Sequence, residues 1–130
     1  MLNTLPRILI VHLKRFKMTN YTQRKINSFV SIPYDIKLDF LIKEKEKYKE
    51  STKYNLFAIV VHVGTGNEYG HYYCVVKIAD KWVKFDDENF CLMDKSEMTE
   101  LFGNPDEDYE LNKNFCAYLL FYERADENIL

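Results

Sequence analysis

Histidine is the side chain best suited to proton transfer near neutral pH, and this chain has three: His12, His62 and His71. Two of them border a loop holding three of the four glycines, Gly64, Gly66 and Gly70. Clustered glycines signal backbone that other residues adopt poorly, and a histidine at such a loop–strand junction suits a catalytic base. His12 lies inside an apolar run and is expected to be a hydrogen-bonded core residue.

A histidine base needs a carboxylate to orient it, and the spacing offers one. If residues 72–78 and 81–86 pair about a two-residue turn at Ala79-Asp80, residue 71 faces 88 and Asp86 becomes the same-face diagonal neighbour of His71. Diagonal neighbours lie roughly 7–8 Å apart at Cα, within reach of long side chains. A one-residue slip would send Asp86 to the other face, and Asp87 and Glu88 are adjacent rivals for the role.

Such a pair acts on a nucleophile or a metal. Cys74 follows His71 by three residues in one strand, so it points to the opposite face and reads as a buried structural thiol. Cys91 and Cys116 have no local partner motif, and no serine lies in a nucleophile turn. His62, His71, Cys74 and Cys91 lack the paired C-x-x-C spacing of a zinc site, so neither metal nor other cofactor is expected. The glycine run leads into a strand, with the wrong spacing for a dinucleotide loop. These residues comprise a base and its orienter without a nucleophile.

The elements that must hold them read mostly as strands. Residues 8–16 form an expected strand covered on both faces, because Ile8-Leu9-Ile10-Val11 is apolar throughout. Residues 18–24 are polar and predicted as loop, and 28–32 and 34–40 as extended pieces divided by Pro33. The charge-dense segment 43–50 reads as a solvated helix or surface insertion. Residues 56–62 are the strongest buried strand, followed by the glycine loop 63–70 and the hairpin. Asp94 caps a short predicted helix reaching Phe102, with Glu97 three residues on and Gly103 closing it. An acidic loop, 104–114, precedes a last strand, 115–122, and residues 123–130 form a tail expected to fray. Five or six strands with one or two short helices make an α+β fold, mainly antiparallel sheet.

Composition bounds the rest. The 130 residues are 47% hydrophobic and 29% charged, which fits one globular domain or a piece of a larger one. Lys and Arg total 18 against 20 Asp and Glu, which argues against nucleic-acid binding driven by excess positive charge. No apolar run approaches the roughly 20 residues of a membrane helix, and no signal peptide is expected at the N-terminus. Three cysteines, an odd number without regular spacing, point to a reducing compartment, cytoplasm or nucleus.

Four segments resemble one family. Leu5-Pro6-Arg7-Ile8-Leu9-Ile10-Val11-His12-Leu13-Lys14-Arg15-Phe16 resembles a strand of the ubiquitin-specific proteases, the papain-like cysteine deubiquitinases. Gly70-His71-Tyr72-Tyr73 resembles their histidine box, and Trp82-Val83-Lys84-Phe85-Asp86-Asp87-Glu88 the aspartate segment after it. Ala117-Tyr118-Leu119-Leu120-Phe121-Tyr122 is similar to their terminal aromatic strand. The resemblance implies the palm sheet of a papain-like fold, with His71 as general base and Asp86 as its orienter. It implies that His62 and the loop carrying Gly64, Gly66 and Gly70 close over the channel for ubiquitin's C-terminal tail, that residues 18–25 form a second such loop, and that Phe16 and Tyr72 line the channel. Its partners would be ubiquitin and ubiquitinated proteins, and the closest likeness is to the subgroup activated by a WD-repeat propeller. The family's nucleophilic cysteine box and the C-x-x-C pairs of its fingers do not occur in these residues. The resemblance therefore implies that 1–130 is the C-terminal part of a catalytic domain, inactive by itself. The parent would hydrolyse (iso)peptide bonds after ubiquitin's last glycine, and the rival reading is a non-catalytic ubiquitin-binding module.

Overall fold

The computed structural model describes residues 1–65, 70–105 and 114–126. Among them, nine strands occur: β1 Ile8–His12, β2 Phe16–Thr19, β3 Thr22–Lys25, β4 Asp35–Lys37, β5 Lys53–Val63, β6 His71–Ile78, β7 Lys81–Asp86, β8 Asn89–Met93 and β9 Phe115–Arg124. Seven form one sheet in the order β1-β9-β5-β6-β7-β8, with β4 pairing on β5. Every pairing is antiparallel, and β2–β3 is a separate hairpin. One α-helix, α1 (Lys95–Glu100), and a 3-10 turn at Asp39–Leu41 complete the α+β architecture.

The longest and most apolar strand, β5, lies inside the sheet and brings Leu56, Ile59 and Val61 to one face, all buried. Val75 of β6 and Leu120 of β9 share that face through their register with Ile59. Met98, Leu101 and Phe102, in and just after α1, join the same core. Asp94 accepts from the Glu97 N–H while the Glu97 carboxylate accepts from the Asp94 N–H, the expected reciprocal cap. Gly103 follows with φ +119, and a Cβ there would stand 2.3 Å from the Ser28 carbonyl oxygen.

Several expectations need correction. Residues 18–24 are not a loop: β2 and β3 turn at Asn20-Tyr21, both at positive φ, the twist that closes a two-residue hairpin. Strand β8 lay unrecognised, which with β2–β3 raises the count above five or six. β1 is an edge strand ending at His12, and Ile8 and Ile10 are 39% and 58% exposed, so the apolar run is covered on one face. His12 is exposed and stacks edge-on against Tyr118, not a core residue. Segment 43–50 makes turns rather than a helix. The last strand continues through Arg124, whose N–H donates to the Arg7 carbonyl; 127–130 of the expected tail and 106–113 of the acidic loop lie outside the described residues.

Arg15 is 2% exposed, and among the described residues its side-chain hydrogen bonds go to main-chain carbonyls. Its guanidinium donates to the carbonyls of Ala117, Ile26, Ser28 and Phe102. It thereby ties β9, the segment after β3 and the end of α1 together. Replacing it removes a donor from all four, of which the Phe102 carbonyl keeps the Val30 N–H, and each buried carbonyl left unsatisfied costs about 1–3 kcal/mol. Arg15→Met is expected to lower unfolding free energy by roughly 3 kcal/mol or more in urea denaturation, and a change below about 1 kcal/mol would contradict this role.

Candidate active site

The β6–β7 hairpin has the expected register. Ile78 pairs with Lys81 and Cys74 with Phe85, about a turn at Ala79 and Asp80 with φ of 49° and 65°. Continued outward, that register sets Asp86 beside Tyr73 and makes it the diagonal neighbour of His71. His71 Nε2 hydrogen-bonds Asp86 Oδ1. Asp87 turns the chain into β8 at φ 51°, and its Oδ2 stands 4.0 Å from the same nitrogen. Among the described residues, no ion pair links Glu88 to His71. Of the three carboxylates the spacing left open, Asp86 holds the ring.

The hydrogen bond from Asp86 raises the His71 pKa above 6.5, and the Asp86 charge reinforces it. A ring whose Nε2–H is given to a carboxylate carries its basic lone pair on Nδ1. The His71 side chain is 46% exposed, so the ring is reachable from solvent. Beneath the pair, Tyr73 remains a neutral phenol: burial, then the Asp86 charge, pushes its pKa up to about 12.

His62 has a different place from the one its loop position suggested. It is fully buried and presents no surface to a substrate. Phe16 lies edge-on to its ring at 5.2 Å and Tyr72 at 4.9 Å. Tyr118, which sequence reasoning passed over, contacts Phe16 at 5.8 Å and Tyr72 at 6.0 Å. Its signal was available: it is an aromatic within the final strand that resembles the family. Tyr72 is 45% exposed and Phe16 partly so; these rings form an aromatic wall with His62 behind it.

Glycine shapes the approach. At Gly70 a Cβ would lie 2.5 Å from His62 Nε2 and 2.6 Å from the Val63 carbonyl, so a side chain there would displace the wall. The Gly64 N–H donates to the Asn114 carbonyl at 3.0 Å. Gly66 lies outside the described residues. A second buried cation, Lys25, was also missed. Its Nζ donates to the carbonyls of His62 at 3.1 Å, Gly64 at 2.8 Å and Asn114 at 2.6 Å. Burial lowers its pKa, with a smaller opposing influence from Cys116. Long polar side chains in a predicted loop carry no period to mark one as buried.

The three cysteines are free, and none is a hydrogen-bond partner of His71 among the described residues. Cys116 is buried, which raises its thiol pKa and weakens it as a nucleophile. His71, Asp86 and Asp87 offer ligand atoms within 4.8 Å of one another, a group that His62, Cys74 and Cys91 do not join. Among the described residues, a cavity of about 780 Å³ opens at the far end of the hairpin between Tyr34, Trp82 and Met98, away from His71.

Residues 1–122 match the family "Ubiquitin carboxyl-terminal hydrolase". Ubiquitin carboxyl-terminal hydrolase 4 of Arabidopsis thaliana is 39% identical over 120 residues, covering 91% of this chain and 31% of the relative. Ubiquitin carboxyl-terminal hydrolase creB of Emericella nidulans is 37% identical over 122 residues, 93% of this chain and 15% of the relative. Among solved structures, the chain is similar to one in the Ubp8-Sgf11-Sgf73-Sus1 SAGA DUB module, with TM-score 0.70 and 29% identity over 95% of this chain and 25% of that one. The chain thus spans about a third or less of the length of these proteins.

The His71–Asp86 pair makes a prediction about pH. A pKa raised in the folded state means that the pair's contribution to stability is fully present below 6.5 and lost as pH climbs through the raised value. NMR titration of the His71 ring is expected to give a pKa above 6.5, and Asp86→Asn should return it toward that value; equal titrations in both proteins would contradict the pairing.

Proposed function

This chain belongs to the ubiquitin carboxyl-terminal hydrolase family, and from that membership we propose that it is the base-bearing part of a thiol-dependent deubiquitinase. The observation that carries the proposal is His71, held through Nε2 by Asp86 at the edge of an aromatic wall, with Nδ1 left basic and accessible. In the parent, a cysteine thiol supplied from outside these residues would give its proton to Nδ1. The thiolate attacks the carbonyl of ubiquitin's last glycine, and the imidazolium then protonates the departing amine. Water deprotonated by the same nitrogen cleaves the thioester. Asp86 keeps the tautomer throughout and stabilises the imidazolium without taking its proton.

Substrate selection follows from the wall. Phe16, Tyr72 and Tyr118, with Gly64 and Gly70 beside them, suit a slit that admits an extended diglycine and rejects bulkier residues. The partly bare sheet supports the reading of a partial domain. A row of apolar residues, Ile10–Phe121–Ala58–Val76–Val83–Leu92, runs across six strands on the face away from the core. Ile10 and Leu92 at its ends are 58% and 62% exposed, as expected of a surface made to be covered by more protein. Regulation by another subunit fits as well. The Ubp8 neighbour is part of a complex with Sgf11, Sgf73 and Sus1, and a WD-repeat propeller is the activator to test here. Cytoplasm or nucleus is the expected place of action, where free thiols persist.

His71→Ala in the full-length parent is expected to reduce kcat/KM for a ubiquitin-amide substrate by roughly a thousandfold or more, and undiminished turnover would overturn the assignment. A polypeptide of residues 1–130 alone is expected to show no turnover of that substrate. Ubiquitin binding by both the polypeptide and the parent, with no cleavage by the parent, would mark a binding module instead.

A further inference from the structure

Lys25 and Phe16 are register partners across the β2–β3 hairpin, so their side chains leave the same face. Both reach His62. Phe16 meets its ring, and Lys25 Nζ takes its carbonyl. An ammonium has three N–H donors and no acceptor, and here three carbonyls from two other parts of the chain occupy them. Removing a charge from water without a counter-ion is costly unless hydrogen bonds replace the water. Among the described residues, no carboxylate pairs with Lys25, so these carbonyls carry that compensation.

The place of the contact is specific. His62 and Gly64 bracket the point where β5 enters the glycine loop, and the loop's far end is Gly70-His71. Asn114 immediately precedes β9, which carries Tyr118. The hairpin therefore grips the root of the loop and the root of the strand that completes the aromatic wall. We propose that Lys25 is a positioning residue that locks the β2–β3 hairpin, the end of β5 at His62–Gly64 and the start of β9 into one unit, fixing the width of the slit for ubiquitin's tail. This rests on the functional reading above. Because His71 is oriented independently by Asp86, loosening Lys25 should impair capture of the tail more than proton transfer.

The test is a pair of variants in the full-length parent. Lys25→Met keeps the stem and removes the donors; Lys25→Arg keeps the charge but offers a planar fork that does not match three converging carbonyls. Both are expected to raise KM for the ubiquitin-amide substrate roughly tenfold or more, with kcat within about threefold. The NMR pKa of His71 should stay above 6.5, where a general collapse of the fold would lose it. If Lys25→Met does not fold, Lys25→Arg decides. Unchanged KM in a folded variant overturns the proposal, and so does loss of kcat together with the raised His71 pKa. If the wild-type parent cleaves no ubiquitin substrate, the functional reading falls by itself. Positioning is then judged by amide exchange at Gly64, expected to quicken roughly tenfold in Lys25→Arg, with unchanged exchange overturning it.

Discussion

Two buried cations with main-chain carbonyls for partners hold the irregular half of this molecule to its sheet. Arg15 is satisfied by carbonyls 26, 28, 102 and 117, and Lys25 by carbonyls 62, 64 and 114. Most of the acceptors sit at or near the places where strands meet loops, and two of them, the Phe102 and Asn114 carbonyls, also accept from the Val30 and Gly64 N–H groups. A neutral donor would satisfy one or two; guanidinium and ammonium satisfy four and three. Charge-assisted bonds of this kind are roughly twice as strong as neutral ones, which offsets much of the desolvation. The loops beside the site are thereby placed by electrostatics rather than by apolar packing.

The His71–Asp86 pair depends on a different constraint, the chirality of a turn. Two consecutive residues at positive φ, Ala79 and Asp80, close β6 on β7 with the twist that strands require. That closure sets every later pairing, and Asp86 reaches His71 only because the register holds along the hairpin. Asp87, again at positive φ, then ends β7 and starts β8, which braces the strand carrying Asp86 from its other side. The pair itself is partly open to solvent. Its orientation comes from rigid strands rather than from burial.

Behind the pair, aromatic rings take the part that aliphatic side chains play elsewhere in the core. Phe16 and Tyr72 meet His62 edge-on, an arrangement that ring quadrupoles favour, and Tyr118 lies tilted beside it. Gly70 is the one residue that lets the chain pass close to that ring. A histidine placed so deep backs the wall, whereas the one nine residues later, at the strand's exposed beginning, is held by Asp86 and stays open to solvent.

Much of this was legible in the residues. The hairpin register, the Asp94–Glu97 cap and the buried strand β5 follow from periods of two and from turn and cap chemistry, which are local rules; the same rules allowed a pair between His71 and a carboxylate and left Asp86, Asp87 and Glu88 open. The β2–β3 hairpin escaped because Asn20-Tyr21 is a weak turn signal and the flanking residues are polar. One-sided covering of β1 escaped because periodicity reports that a strand is apolar and not how many layers lie against it. The depth of His62, the part of Tyr118, and the burial of Arg15 and Lys25 depend on contacts between residues 11 to 102 positions apart. The sequence by itself determined the buried strand β5, the turn that pairs β6 with β7, and the histidine with the three carboxylates from which its partner would come, because neighbouring side chains and backbone preferences suffice for those. Only the tertiary structure decided which histidine is buried and which carbonyls the two cations serve, because desolvation and hydrogen-bond geometry are set by segments brought together from across the chain.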